Sequence, residues 1–232
     1  MFGKGISDKR LASLALWATV LFFIFGVLYF LPVGIPFKIG FPLTVLSLFS
    51  LWLLPWPMSI AMIASAAGDY AGAAGNFVLQ MSFFAVAHVF IILFFTGKVW
   101  LRFQSFRTEG KLLRRVGYAA AMGTMVILLV IFAMVNVVPE APEGMLRTGV
   151  GCYVTVISLM LYTALLQRSW MYALGAVMFV FSDLILGWNK FVSPVGGQDL
   201  LIMIPYYLGQ YLLFLRAARI KVRPALLGKF KF

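Results

Sequence analysis

Charge is what this chain has least of. Of its 232 residues only 11% are charged and seven are acidic, against 63% hydrophobic, and the mean hydropathy is +1.00. A water-soluble domain of this size could not hide that much apolar surface, so the bilayer must be its solvent. Long polar stretches are missing too, which excludes a second, soluble domain and leaves one polytopic helical domain over residues 1–232. Cysteine and histidine occur once each, as Cys152 and His88. A lone cysteine excludes an intrachain disulfide, and in a predicted helix it reads as a small core residue rather than a thiol nucleophile. One histidine and one cysteine exclude a His-rich zinc site, and Asp with His alone is thin ligation for any metal. The chain has no G-x-S-x-G, H-E-x-x-H, P-loop or G-x-G-x-x-G sequence.

What is present is a series of apolar runs, at about 11–31, 39–54, 58–76, 77–96, 115–138, 146–166, 170–189 and 199–216, separated by short polar or Pro/Gly breaks. They predict an all-α integral membrane protein of eight transmembrane helices. The first run lacks a small-residue cleavage site, so it is expected to be a retained helix rather than a signal peptide. Every Lys and Arg except Lys38, Arg147 and Lys190 falls on one side of this topology. The positive-inside rule then puts both termini in the cytoplasm. The net charge of +12 therefore reads as topology plus attraction to anionic headgroups, and no nucleic acid is expected as a partner. The segment 97–115 is the longest break and divides the runs into two groups of four. Asp69 and Asp183 occupy the third helix of each group, so a repeat of two parallel four-helix halves is one reading of the pattern.

These two aspartates are the acids that the spans bury. A charged aspartate near the bilayer centre costs about 2.5–3.5 kcal/mol on insertion scales, and such residues usually serve function. Burial disfavours the ionised form, so a neutral, proton-donating carboxylic acid is expected. Helical spacing puts Ser65, Asp69, Gly72 and Asn76 on one arc, within the small-residue run ASAAGDYAGAAG, and puts Asp199, Met203, Tyr206 and Gln210 on another. At 1.5 Å per residue, Asp183, Tyr206 and Tyr153 lie about 10 Å below the outer edge of the core, and Asp69, His88 and Gln210 about 14–16 Å. One polar layer in the outer half of the membrane follows. The plainer reading is that the aspartates are protonated structural acids, His88 a satisfied core residue, and Tyr153, Tyr206, Tyr207, Gln210 and Asn189 helix-packing groups. The functional reading is acid/base chemistry on an uncharged bond, or proton-coupled transport.

The segments GAVMFVFSDLILGWNKF at 175–191 and IPYYLGQYLLF at 204–214 resemble the YhhN family of eight-helix membrane proteins, whose characterised members are lysoplasmalogenases. SAAGDYAG and FFAVAHVFIILFF in the third and fourth helices agree in order and spacing. The resemblance extends from about residue 39 over most of the chain. It departs at the second helix, where the family's Lys-Pro-Leu is replaced by GFPLTV and Lys38 stands upstream.

The resemblance implies hydrolysis of the vinyl ether bond of a lysoplasmalogen, to a fatty aldehyde and glycerophosphocholine or glycerophosphoethanolamine. No cofactor and no metal are expected from the residues present. Asp183 is expected to be the acid and Asp69 the base or electrostatic stabiliser, with the reverse also allowed. His88, Tyr206 and Gln210 would orient water or tune those acids, with Tyr153, Tyr207 and Asn189 as further substrate-binding or orienting groups. The partners are then the lysophospholipid and membrane lipids. The expected location is a bacterial inner membrane, or the endoplasmic reticulum in an animal. A proton-coupled transporter of a lipid or small molecule, or a structural membrane protein, remain alternatives.

Overall fold

The computed structural model describes the backbone of residues 8–104 and 109–227 and the side chains of residues 9–98 and 113–220. Eight α-helices account for nearly all of it: α1 Asp8–Phe30, α2 Phe41–Leu53, α3 Trp56–Ala73, α4 Phe77–Gln104, α5 Glu109–Asn136, α6 Met145–Leu165, α7 Trp170–Phe191 and α8 Gln198–Leu227. Six of them, all but α2 and α3, are long and apolar enough to cross a membrane, which makes the protein a multi-pass helical membrane protein. The second apolar run forms the 13-residue α2, about 20 Å long and short of the roughly 30 Å hydrocarbon core. Its end is set by sequence: Leu54, before Pro55, is extended (ψ 158°), as the clash with a following proline ring demands.

The segment 97–115, expected as a long loop, is mostly helical. α4 runs on to Gln104 and α5 starts at Glu109, while α8 continues past the expected end at 216 to Leu227. Hydropathy locates the bilayer, whereas a helix continues for as long as its backbone hydrogen bonds can close. Lys, Arg and Glu are good helix formers beyond the apolar span.

The described residues form two compact units whose boundaries fall inside α4 and α8, not at 97–115: one holds residues 8–87 together with 213–227, the other the described residues between His88 and Leu212.

In the first unit α2 packs against α1 and α3. Its seam with α3 is fastened by hydroxyls. Ser47 Oγ lies 2.7 Å from the Leu43 carbonyl and 2.8 Å from that of Met62, Ser50 donates to Ser47 O at 2.7 Å, and Ser59 donates to Ser50 O at 2.9 Å. At the other end Tyr70 and Thr44 share a 2.8 Å bond, and Thr44 donates to Gly40 O. Away from water these bonds and small-residue packing hold helices together, because lipid tails are as apolar as the side chains.

In the second unit α6 packs against α5 and α7. Cys152, expected in the core, is exposed on α6; a small, weakly polar thiol is tolerated facing an apolar solvent.

Candidate functional site

Three helices of the second unit each bring one polar side chain to a common point: His88 from α4, Tyr153 from α6 and Asp183 from α7. The Tyr153 hydroxyl donates to Asp183 Oδ2. The same hydroxyl lies 3.2 Å from His88 Nε2, and that nitrogen is 3.9 Å from Asp183 Oδ2. His88 is fully buried, while the Asp183 side chain keeps 8% of its surface exposed.

The order of donors follows from valence. A phenol has one proton, and when Asp183 Oδ2 accepts it the phenolic oxygen can only accept in turn, so His88 Nε2 carries the hydrogen; in the uncharged ring it is the one nitrogen that does. Nδ1 is then an acceptor. It is buried and has no hydrogen-bond partner among the described residues. Leaving such a group unsatisfied costs about 1–3 kcal/mol, so the position is unfavourable for folding alone.

Aromatic rings fix this group from the side. His88 meets Phe179 edge to face at 4.7 Å, Phe179 meets Tyr206 at 5.3 Å, and Tyr207 lies beside Tyr206 at 5.5 Å. Tyr206, Tyr207 and Gln210 are buried on α8. The α7–α8 approach that places them needs Gly209, where a Cβ would stand 2.8 Å from the Gly175 carbonyl oxygen and 3.1 Å from the Phe179 nitrogen. Both obstacles are backbone, so no rotamer change could relieve them.

The structure therefore gathers His88, Tyr153 and Asp183, with Tyr206 one ring away through Phe179. Asn189 is engaged elsewhere: its Oδ1 accepts the Val195 amide at 2.9 Å, holding the turn after α7. Asp69 is buried on α3 in the first unit, between two glycines on which Phe84 and Gln80 rest. Lys38, upstream of the family position, donates to the Leu31 carbonyl at 2.6 Å. Among the described residues no three His, Cys, Asp or Glu side chains converge as metal ligands would.

Sequence reasoning missed Phe179 and the Gly175/Gly209 contact. The glycine in YYLGQ was a usable signal, since a small residue within a polar stripe marks a close helix approach.

Buried polar groups facing one another between membrane helices define a multi-pass membrane protein with an intramembrane polar site. The chain belongs to the YhhN family, whose pattern matches residues 35–217. No curated protein and no solved structure matches it.

Proposed function

We propose that this chain is a lysoplasmalogenase-type hydrolase that cleaves the vinyl ether bond of a lysoplasmalogen inside the membrane. The YhhN family includes lysoplasmalogenases. The observation that carries the reading is the Asp183 carboxyl, buried yet with a remnant of exposure and held on one oxygen by Tyr153 beside His88. In this reading all eight helices lie in the bilayer with both termini on the cytoplasmic side. The substrate's single chain lies among apolar helices and its choline or ethanolamine head near the outer boundary.

The chemistry needs a proton at carbon. Protonated Asp183 donates to the β-carbon of the enol ether, giving an oxocarbenium ion; water adds to it, and the hemiacetal collapses to aldehyde and the glyceryl alcohol. A carboxylate pair whose environments favour different protonation states suits this sequence. Asp69 is proposed as the second carboxylate, acting as base or stabilising the cation. Tyr206, Tyr207 and Gln210, buried on α8, are proposed to orient substrate or water.

The test is aldehyde release from choline and ethanolamine lysoplasmalogens in detergent, with Asp183→Asn and Asp69→Asn variants that elute as folded. Release by the wild type, lost in both variants, supports the reading. Folded wild type that releases none from either substrate sinks it. A proton-coupled carrier is the second reading, favoured by the same buried chain of proton donors and acceptors; it requires substrate movement between two liposomal compartments without aldehyde.

A further inference from the structure

We infer that His88 and Tyr153 form a two-way proton relay on Asp183, with Tyr153 as its positioning residue, so that a single carboxyl serves every proton transfer of the hydrolysis. The inference rests on the hydrolase reading above. Both polar contacts of Asp183 among the described residues fall on Oδ2, which leaves Oδ1 to face the reacting bond. From Oδ2 the chain of donors runs outward through Tyr153 to His88 Nε2. It ends at Nδ1, buried and without a hydrogen-bond partner among the described residues. Phe179 packs against the imidazole in a T-shaped pair and fixes its position. A lone pair buried with nothing to accept fits a ring whose partner arrives with the substrate.

The protons balance through one cycle. Asp183 Oδ1–H first gives its proton to the β-carbon, leaving a carboxylate and the oxocarbenium ion. As water adds to the cation, its proton goes to His88 Nδ1, the Nε2 proton passes to the Tyr153 oxygen, and the tyrosine proton passes to Asp183 Oδ2. Hemiacetal collapse then runs the relay backwards. The hemiacetal O–H protonates Oδ1, the Oδ2 proton returns to Tyr153, the tyrosine proton returns to Nε2, and Nδ1–H is given to the departing glyceryl oxygen. Every group regains its starting proton, one water is consumed, and no outside acid or base is needed.

The relay makes a prediction that a merely structural tyrosine would not. Without it, water capture slows while protonation of carbon does not, so the cation turns about its C–C bond and gives up its original β-hydrogen, rather than the one just added, to Oδ1. In D2O the unreacted substrate recovered from Tyr153→Phe should therefore carry deuterium at the vinyl β-carbon. The ratio of exchange to aldehyde release should exceed that of the wild type by about tenfold or more, with kcat reduced and KM little changed. His88→Gln interrupts the relay one residue further out and should raise the same ratio; it is the second variant should Tyr153→Phe not elute as folded. A folded variant in which exchange and hydrolysis fall together, with the ratio unchanged, overturns the relay. Wild-type protein that neither releases aldehyde nor exchanges deuterium overturns the hydrolase reading itself, an outcome distinct from an unchanged ratio.

Discussion

Two clusters of polar side chains, the serine seam of the first unit and the Tyr153–Asp183–His88 group of the second, are bonded differently. In the first, Ser47, Ser50 and Ser59 send their hydroxyl protons to backbone carbonyls, so the hydroxyls spend their donors locally. In the second, Tyr153 and Asp183 bond side chain to side chain with His88 at the next position, and one buried nitrogen is left without a partner among the described residues. A serine seam fastens helices and has no proton to exchange at ordinary pH. A tyrosine–carboxyl–imidazole cluster holds groups that trade protons and is a poor fastener, because titratable groups are expensive to bury. The contrast separates two kinds of buried polarity: the serine hydroxyls close on the backbone, whereas the cluster closes on side chains and leaves His88 Nδ1 without a partner among the described residues.

Substitutions can break or sharpen that contrast. The largest effect is expected at Asp183: Asp183→Asn keeps shape and hydrogen bonding but removes the transferable proton, and aldehyde release should fall by about 10²–10⁴-fold while the elution profile stays that of folded protein. Asp69→Asn should also lower kcat, and a loss smaller than that of Asp183→Asn would mark Asp69 as a stabiliser rather than a proton carrier. Next come the glycines that seat neighbouring groups. Gly209→Ala drives a methyl into the α7 backbone and should cost about 1–3 kcal/mol in a thermal or denaturant unfolding series. Gly72→Ala should cost much less, since its obstacle is the Gln80 side chain, which can swing away. The smallest effect is expected in the serine seam, where Ser59→Ala should lower stability by about 0.6 kcal/mol, the average for interhelical side-chain bonds in a bilayer, and leave aldehyde release unchanged. A Ser59→Ala variant that lost activity outright would erase the distinction between seam and site.

Asp183 and Asp69 were legible from sequence because an acid in an apolar run is conspicuous whatever its surroundings. Depth counting also put Tyr153 and His88 near the level of Asp183, yet it could not say which groups touch, since depth fixes one coordinate out of three. Asn189 shows the same gap: its place on α7 suggested the site, while its carbonyl oxygen turned out to hold the following turn. Cys152 was assigned to the core from residue type alone and lies exposed, because helical position, not side-chain size, decides which face meets lipid.

The sequence by itself determined that this is a helical, multi-pass membrane protein of the YhhN family and where its apolar runs lie, because hydropathy and motif order are properties of the chain read linearly. Only the tertiary structure decided that Tyr153 holds Asp183 beside His88, that Asn189 serves the turn after α7 and that Cys152 is exposed. Those outcomes depend on rotation of each helix about its axis and on close approaches such as Gly209 against α7. These are set by packing between segments far apart in sequence.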